Sequence, residues 1–143
     1  MTIEERAARA VELKAGCNCA QAVVLSYADK LPLEEETLKK LAAGYGGGMG
    51  CMEGTCGALV GAVPWFLTST FADFFVGAVM VAGMLTDGQG TGRYAREILL
   101  GFCERCGATI CKDLKGVETG KVLCPCTECV RNAVLAAGAA LGE

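Results

Sequence analysis

The stretch Gly44–Gly61, GYGGGMGCMEGTCGALVG, decides how the rest of the chain is read. Five of the seven residues from Gly44 to Gly50 are glycine. Glycine at that density suits backbone at positive φ, or backbone in close approach to another group. Two cysteines follow, Cys51 and Cys56, and then the start of an apolar helix. The other eight cysteines lie in clusters before and after this stretch. It therefore reads as the wall of a cysteine-lined site, with Cys56 at its centre.

Composition narrows what such a site does. The chain has 143 residues, the length of one domain (1–143), and enough to bury a real core. Its net charge is −3 and it has no basic run, which argues against nucleic acid or an anionic membrane as partner. It contains no histidine, which removes Ser/His and Cys/His hydrolytic dyads and every mixed Cys/His zinc pattern. The N-terminal MTIEERAARAVELK is charged and amphipathic, without the apolar core of a signal peptide. A cytoplasmic location is expected, and there ten clustered cysteines point to catalysis or metal binding before structural disulfides.

Working outward, Thr2 with Glu5 forms a capping box ahead of a helix that carries Ile3, Ala7, Ala10 and Val11 and stops by Gly16. Asn18 with Gln21 caps a second helix, which ends at Leu31-Pro32. A third, about 33–43, has an acidic start and lysines toward its end, as the helix dipole favours. Beyond the glycines the chain is almost wholly apolar from Cys56 to Leu85. Pro64 and Asp73 break it, so two buried helices, 56–68 and 71–85, are expected rather than a membrane span. Asp87-Gly88-Gln89-Gly90 is a turn, a helix over 92–106 ends at Gly107, a short one starts after Thr109, and an alanine-rich helix covers 128–141. No stretch alternates with a period of two. The expected fold is all-α: a compact bundle of about six to seven helices with a glycine-rich loop.

Cys19 follows Asn18, Cys56 follows Thr55, Cys111 lies two residues after Thr109, and Cys129 two after Thr127. If those four polar residues are N-caps, all four thiols stand in first turns, where the helix dipole favours thiolate. These four are the candidate catalytic thiols and, in the alternative reading, the ligands of a metal. The companions Cys17, Cys103, Cys106, Cys124 and Cys126 form a possible second metal set. CPCTEC (Cys124–Cys129) beside Cys103-x-x-Cys106 signals redox or metal chemistry. The loop lacks the G-K-[ST] ending of a P-loop. Gly46, Gly47, Gly48 and Gly50, with Cys51, are instead expected as an anion nest facing thiolates or a cofactor. No acid/base pair stands out, and Glu53 is the one carboxylate near the cysteines of the loop.

NCAQAV (Asn18–Val23), GGGMG (Gly46–Gly50), CGALVG (Cys56–Gly61), CKDLKG (Cys111–Gly116) and CTECV (Cys126–Val130) together resemble the C_GCAxxG_C_C family of redox-active proteins. The resemblance places the four motif cysteines on Cys19, Cys56, Cys111 and Cys129. It implies a small bacterial or archaeal protein, often encoded near transporters. This chain departs from the pattern in its extra segment, about 64–77, and in its six companion cysteines.

Three functions follow as expectations. The first is thiol–disulfide exchange or electron transfer, with Cys56 attacking an oxidised partner (a redox protein or a small thiol's disulfide) and Cys19 or Cys129 resolving. The second is Cys-ligated zinc or an iron–sulfur cluster, since histidine is absent. The third is a non-enzymatic accessory domain, docking to a transporter or redox partner through the apolar region 65–84. The surplus apolar surface also suits a homo-oligomer.

Overall fold

The computed structural model describes residues 1–50, 52, 56, 58 and 77–143. Among them the regular structure is helical, with no strand. The helices are α1 (Ile3–Leu13), α2 (Cys19–Ser26), α3 (Glu35–Leu41), α4 (Gly77–Leu85), α5 (Thr91–Cys106), α6 (Cys111–Lys115) and α7 (Cys126–Leu141). A 3-10 turn, Ala43–Tyr45, leads into the glycine loop. The all-α bundle read from the missing two-residue alternation is the fold observed.

Helix α2 is the axis. It is apolar on nearly every side, as a helix surrounded by others must be, and seven of its eight residues are buried, from Cys19 and Ala20 to Ser26. It packs on α1, α3, α4 and α7, and α7 in turn packs on α1, α4 and α5. Ala133, Val134 and Ala137 of α7 are fully buried, as are Ile98 and Phe102 of α5. Small residues let the α7 backbone come close: a Cβ on Gly138 would collide with the side chain of Ile3 in α1.

Both N-terminal capping boxes form as read. Thr2 accepts from the backbone N–H of Glu5, and Asn18 from that of Gln21, with each acidic or amide side chain returning the bond. Less expected is Arg6. It points inward from α1, 1 % exposed, donating to both carboxylate oxygens of Asp29 (2.5 and 3.0 Å) and to the Ser26 carbonyl. Its guanidinium also lies 4.5 Å from the Tyr27 ring centroid. Arg6 therefore ties α1 to the end of α2 by charge-assisted bonds and a cation–π contact.

Two helix starts differ from the sequence reading. Helix α7 begins at Cys126 behind Pro125, so Thr127 lies inside the helix and caps nothing; proline suits the boundary because its φ is preset. The cap of α6 is Ile110, one residue after Thr109. The expected helix 56–68 lies outside the described residues but for Cys56 and Ala58, and neither of these is helical. Thr55, Glu53 and Cys51 also lie outside them. Of the region 65–84 suggested for docking, only residues 77–84 are described. There Ala78, Val81 and Ala82 are buried, while Met80, Gly83 and Met84 line an apolar cavity of about 230 Å³ with Val24, Leu38 and Leu41. No helix among the described residues is long and apolar enough to cross a membrane.

Candidate functional site

The glycine loop is a left-handed coil. Gly47 and Gly48 have φ near +60° and Gly50 near +78°, a region that residues with a Cβ enter at a cost. Gly46 is needed for a different reason. A Cβ there would stand 2.5 Å from the Cβ of Asn18, inside the N-cap of α2. Asn18 also donates through its amide nitrogen to the Ala43 carbonyl (2.9 Å), so the loop is pressed against the turn that carries Cys19. Further on, Lys112 donates its backbone N–H to Met52 and Cys56 donates its own to Thr109, both at 3.0 Å. This two-bond clasp fastens the chain around Cys56 to the start of α6, where Cys111 sits. In the described structure the glycines let the loop lie against the start of α2.

Among the described residues six cysteines are buried: Cys19, Cys56, Cys106, Cys111, Cys124 and Cys129. Cys17, Cys103 and Cys126 are half-buried. Most of them form one file. Cys126 neighbours Cys19, Cys19 neighbours Cys56, and from the other side Cys129 neighbours Cys56, each shifting the charge of the next, while the Cys129 thiol donates to the Cys124 carbonyl at 3.5 Å. Beyond Cys129 lie Cys106 and Cys124, and the three sulfurs stand within 4.8 Å of one another. Asn132, one turn along α7 from Cys129, donates to the Cys106 sulfur at 3.4 Å.

The hydrogen bonds set the charge. Donation from Cys129 and then Cys19 pulls the Cys56 thiol well below its ordinary range against the opposing effect of burial, and the backbone N–H of Ala58 adds to this. Cys19 receives from Cys126, which favours its thiolate. Its own donation to Cys56, together with burial, outweighs that and pushes it up to about 11. Cys126 is raised by donating to Cys19, and Cys129 by donating to Cys106 and Cys56. Cys106 is brought down to about 7 by the same Cys129 proton against burial, with help from Asn132. A thiol has only one proton to give, and that of Cys129 is shared among the Cys124 carbonyl at 3.5 Å, Cys56 and Cys106. Cys56 has Cys19 as a second neighbour that favours its charge.

Two sequence expectations are revised here. Helix N-termini were expected to lower all four candidate thiols. Yet Cys19 and Cys129 are raised, because a neighbouring thiolate that accepts their protons outweighs the dipole within one hydrogen-bonded chain. Cys129, moreover, is the fourth residue of α7 and its N–H already bonds to Pro125 at 2.9 Å, so no open backbone donor remains at that sulfur's own residue. Cys111 is buried near Cys56 and disfavours its charge. The companion cysteines divide. CPCTEC splits, with Cys124 and Cys129 facing Cys106 and Cys126 facing Cys19. Cys103, though one turn from Cys106, stays outside the trio among the described residues. Cys17 donates to the Leu13 carbonyl at 3.0 Å and closes the end of α1.

Lys115 was missed. It lies one turn after Cys111, and although burial works against its charge, the sulfurs of Cys126, Cys111 and Cys19 raise its pKa. An ammonium thus faces the Cys126–Cys19 end of the file. The spacing Cys111-x-x-x-Lys115 in CKDLKG was the available signal, since i and i+4 share a helix face.

Residues 17–69 match the family model described as "Putative redox-active protein (C_GCAxxG_C_C)". The match takes in Cys19, the glycine loop and Cys56, and so the acceptor of the file and one of its two thiol donors. No curated protein and no solved structure matches the chain.

Proposed function

We propose that the protein performs thiol–disulfide exchange on a small disulfide, with Cys56 as nucleophile and Cys19 as resolving thiol. The observation behind this reading is the buried row of sulfurs in which Cys56 lies between Cys19 and Cys129, both of which favour its charge. A thiolate so held is the nucleophilic form of cysteine, and its neighbour is already in contact for the second step. Cys56 thiolate attacks one sulfur of the substrate disulfide, forming a mixed disulfide and releasing one substrate thiolate. Cys19 gives its proton to that departing thiolate and attacks the Cys56 sulfur, which releases the second substrate thiolate. The protein loses two electrons as Cys19–Cys56 closes, and the substrate disulfide gains them. Burial of Cys56 to 3 % exposure favours a small disulfide over a protein one. Lys115 supports the anionic charge that Cys19 takes on in the second step.

The test is equilibration of reduced protein with glutathione redox buffers, followed by acid quench, alkylation and peptide mass spectrometry. A Cys19–Cys56 disulfide is expected in the wild type, a glutathione adduct trapped on Cys56 in Cys19→Ser, and neither in Cys56→Ser. Oxidation that leaves Cys19 and Cys56 as thiols would refute the reading.

A further inference from the structure

The redox proposal uses Cys56 and Cys19. It leaves unexplained why three more sulfurs meet at the far end of the file. Cys106 comes from the last residue of α5, Cys124 from the loop before α7, and Cys129 from the first part of α7. Their sulfurs all lie within 4.8 Å of one another, and all three residues are buried. No disulfide joins them. Three sulfurs around one zinc ion at its usual bond length of about 2.3 Å stand about 4 Å apart, so the trio closes on an ion with small movements.

The surroundings are built to hold that geometry. Leu123 and Cys124 both donate backbone N–H groups to the Leu114 carbonyl (2.9 and 3.2 Å), which fixes the loop that carries Cys124. That loop folds back only because Gly116 is glycine: its φ is +67° and a Cβ would run into the Lys121 carbonyl. Asn132 donates to the Cys106 sulfur, the kind of outer bond that orients a metal-bound thiolate. The donor set is sulfur alone, with no carboxylate in the group and no histidine in the chain. Soft, all-thiolate donors select soft cations over magnesium, calcium or manganese.

We infer that Cys106, Cys124 and Cys129 form a binding site for one thiophilic d10 cation, Zn²⁺ being the physiological type, which takes neither thiol of the Cys56–Cys19 redox pair but adjoins it through Cys129. Binding replaces three S–H protons, released to solvent, by three metal–sulfur bonds, with the fourth position taken by an added small ligand or a neighbouring sulfur.

The experiment uses the full-length reduced protein under argon, titrated with Cd²⁺ as spectroscopic probe and with Zn²⁺ in competition with a chromophoric chelator. The expected result is one equivalent bound, with a sulfur-to-cadmium charge-transfer band and three or four sulfurs by X-ray absorption. Cys106→Ser and Cys124→Ser should each lose about a hundredfold in affinity and Asn132→Leu about tenfold, whereas Cys19→Ser should bind like the wild type. In case a serine variant misfolds, which far-ultraviolet circular dichroism would reveal, the wild type carries the test alone. Cd²⁺ should then slow alkylation of the peptides bearing Cys106, Cys124 and Cys129, and leave that of Cys103 unchanged. No binding, fewer than three sulfurs, or binding that survives in Cys106→Ser and Cys124→Ser but fails in Cys19→Ser would overturn the inference. Because Cys19→Ser breaks the redox cycle and not the metal site, each proposal can fail without the other.

Discussion

At the scale of single residues, Cys56 is singled out by its donors and not by its place on a helix. Hydrogen bonds to a charged group contribute about 1.5–3 kcal/mol each, and about 1.4 kcal/mol corresponds to one pH unit. Replacing Cys19 by alanine removes one of the two thiol donors and leaves Cys129. The Cys56 thiolate should then form about one unit higher in pH, read as thiolate ultraviolet absorbance in the metal-free reduced protein. An unchanged titration would mean that Cys19 does not hold the charge. Cys56 was read as the central thiol from its glycine lead-in and its position among the cysteine clusters, and the structure buries it beside Cys19 and Cys129. The way its charge is held was not legible, because partners such as Cys129, 73 residues away, meet it only in the fold. Arg6 was hidden for the opposite reason. Arginine is almost never fully buried unless paired, and its pair, Asp29, lies in the turn after α2, 23 residues along the chain.

At the scale of elements, the start of α2 and the glycine loop form one unit. Asn18→Ala loses the bond to Gln21 and the bond to the Ala43 carbonyl, and should cost about 1 kcal/mol, as N-cap deletions do. Gly46→Ala should cost a similar amount, about 1 kcal/mol, by driving its Cβ into that same cap. Because both act on one contact, the double variant should cost clearly less than the sum, which denaturant titration of the four proteins would reveal. Strict additivity would show that loop and cap are independent. The cap itself was readable from Asn18-x-x-Gln21, since a capping box needs only residues three apart. The loop's closeness to it was not, because a glycine records that a Cβ is absent without saying what would have met it. Helix α7 shows the limit of the same reasoning: Thr127 looked like a cap, and Pro125 two residues earlier set the boundary instead.

At the scale of the whole molecule, Arg6–Asp29 joins α1 to the chain just after α2, while Tyr27 reaches the Val134 carbonyl of α7 at 3.4 Å. Asp29 is held below its ordinary value of 3.8 by its bonds from Arg6, against a small cost of burial. A carboxylate lowered in the folded state stabilises at pH above its unfolded value, and that contribution is lost as pH falls through the folded value. Stability should therefore decline below about pH 4 in part through this pair. Asp29→Asn should lower the thermal midpoint at neutral pH and flatten its acid dependence. A variant with the wild-type acid slope would show that other carboxylates govern acid unfolding. The all-α class was legible from the missing alternation; the central place of α2 was not read, although seven of its eight residues are buried. The packing of α7 on α1 was not legible, because alanine and glycine mark a close approach without naming the partner.

The file of thiols has a consequence for access. Cys19 and Cys56 are buried, whereas Cys126, next to Cys19, is half-buried and stands beside the Lys115 ammonium. An anionic reagent that comes to the row from this end meets a positive charge before it meets a buried sulfur.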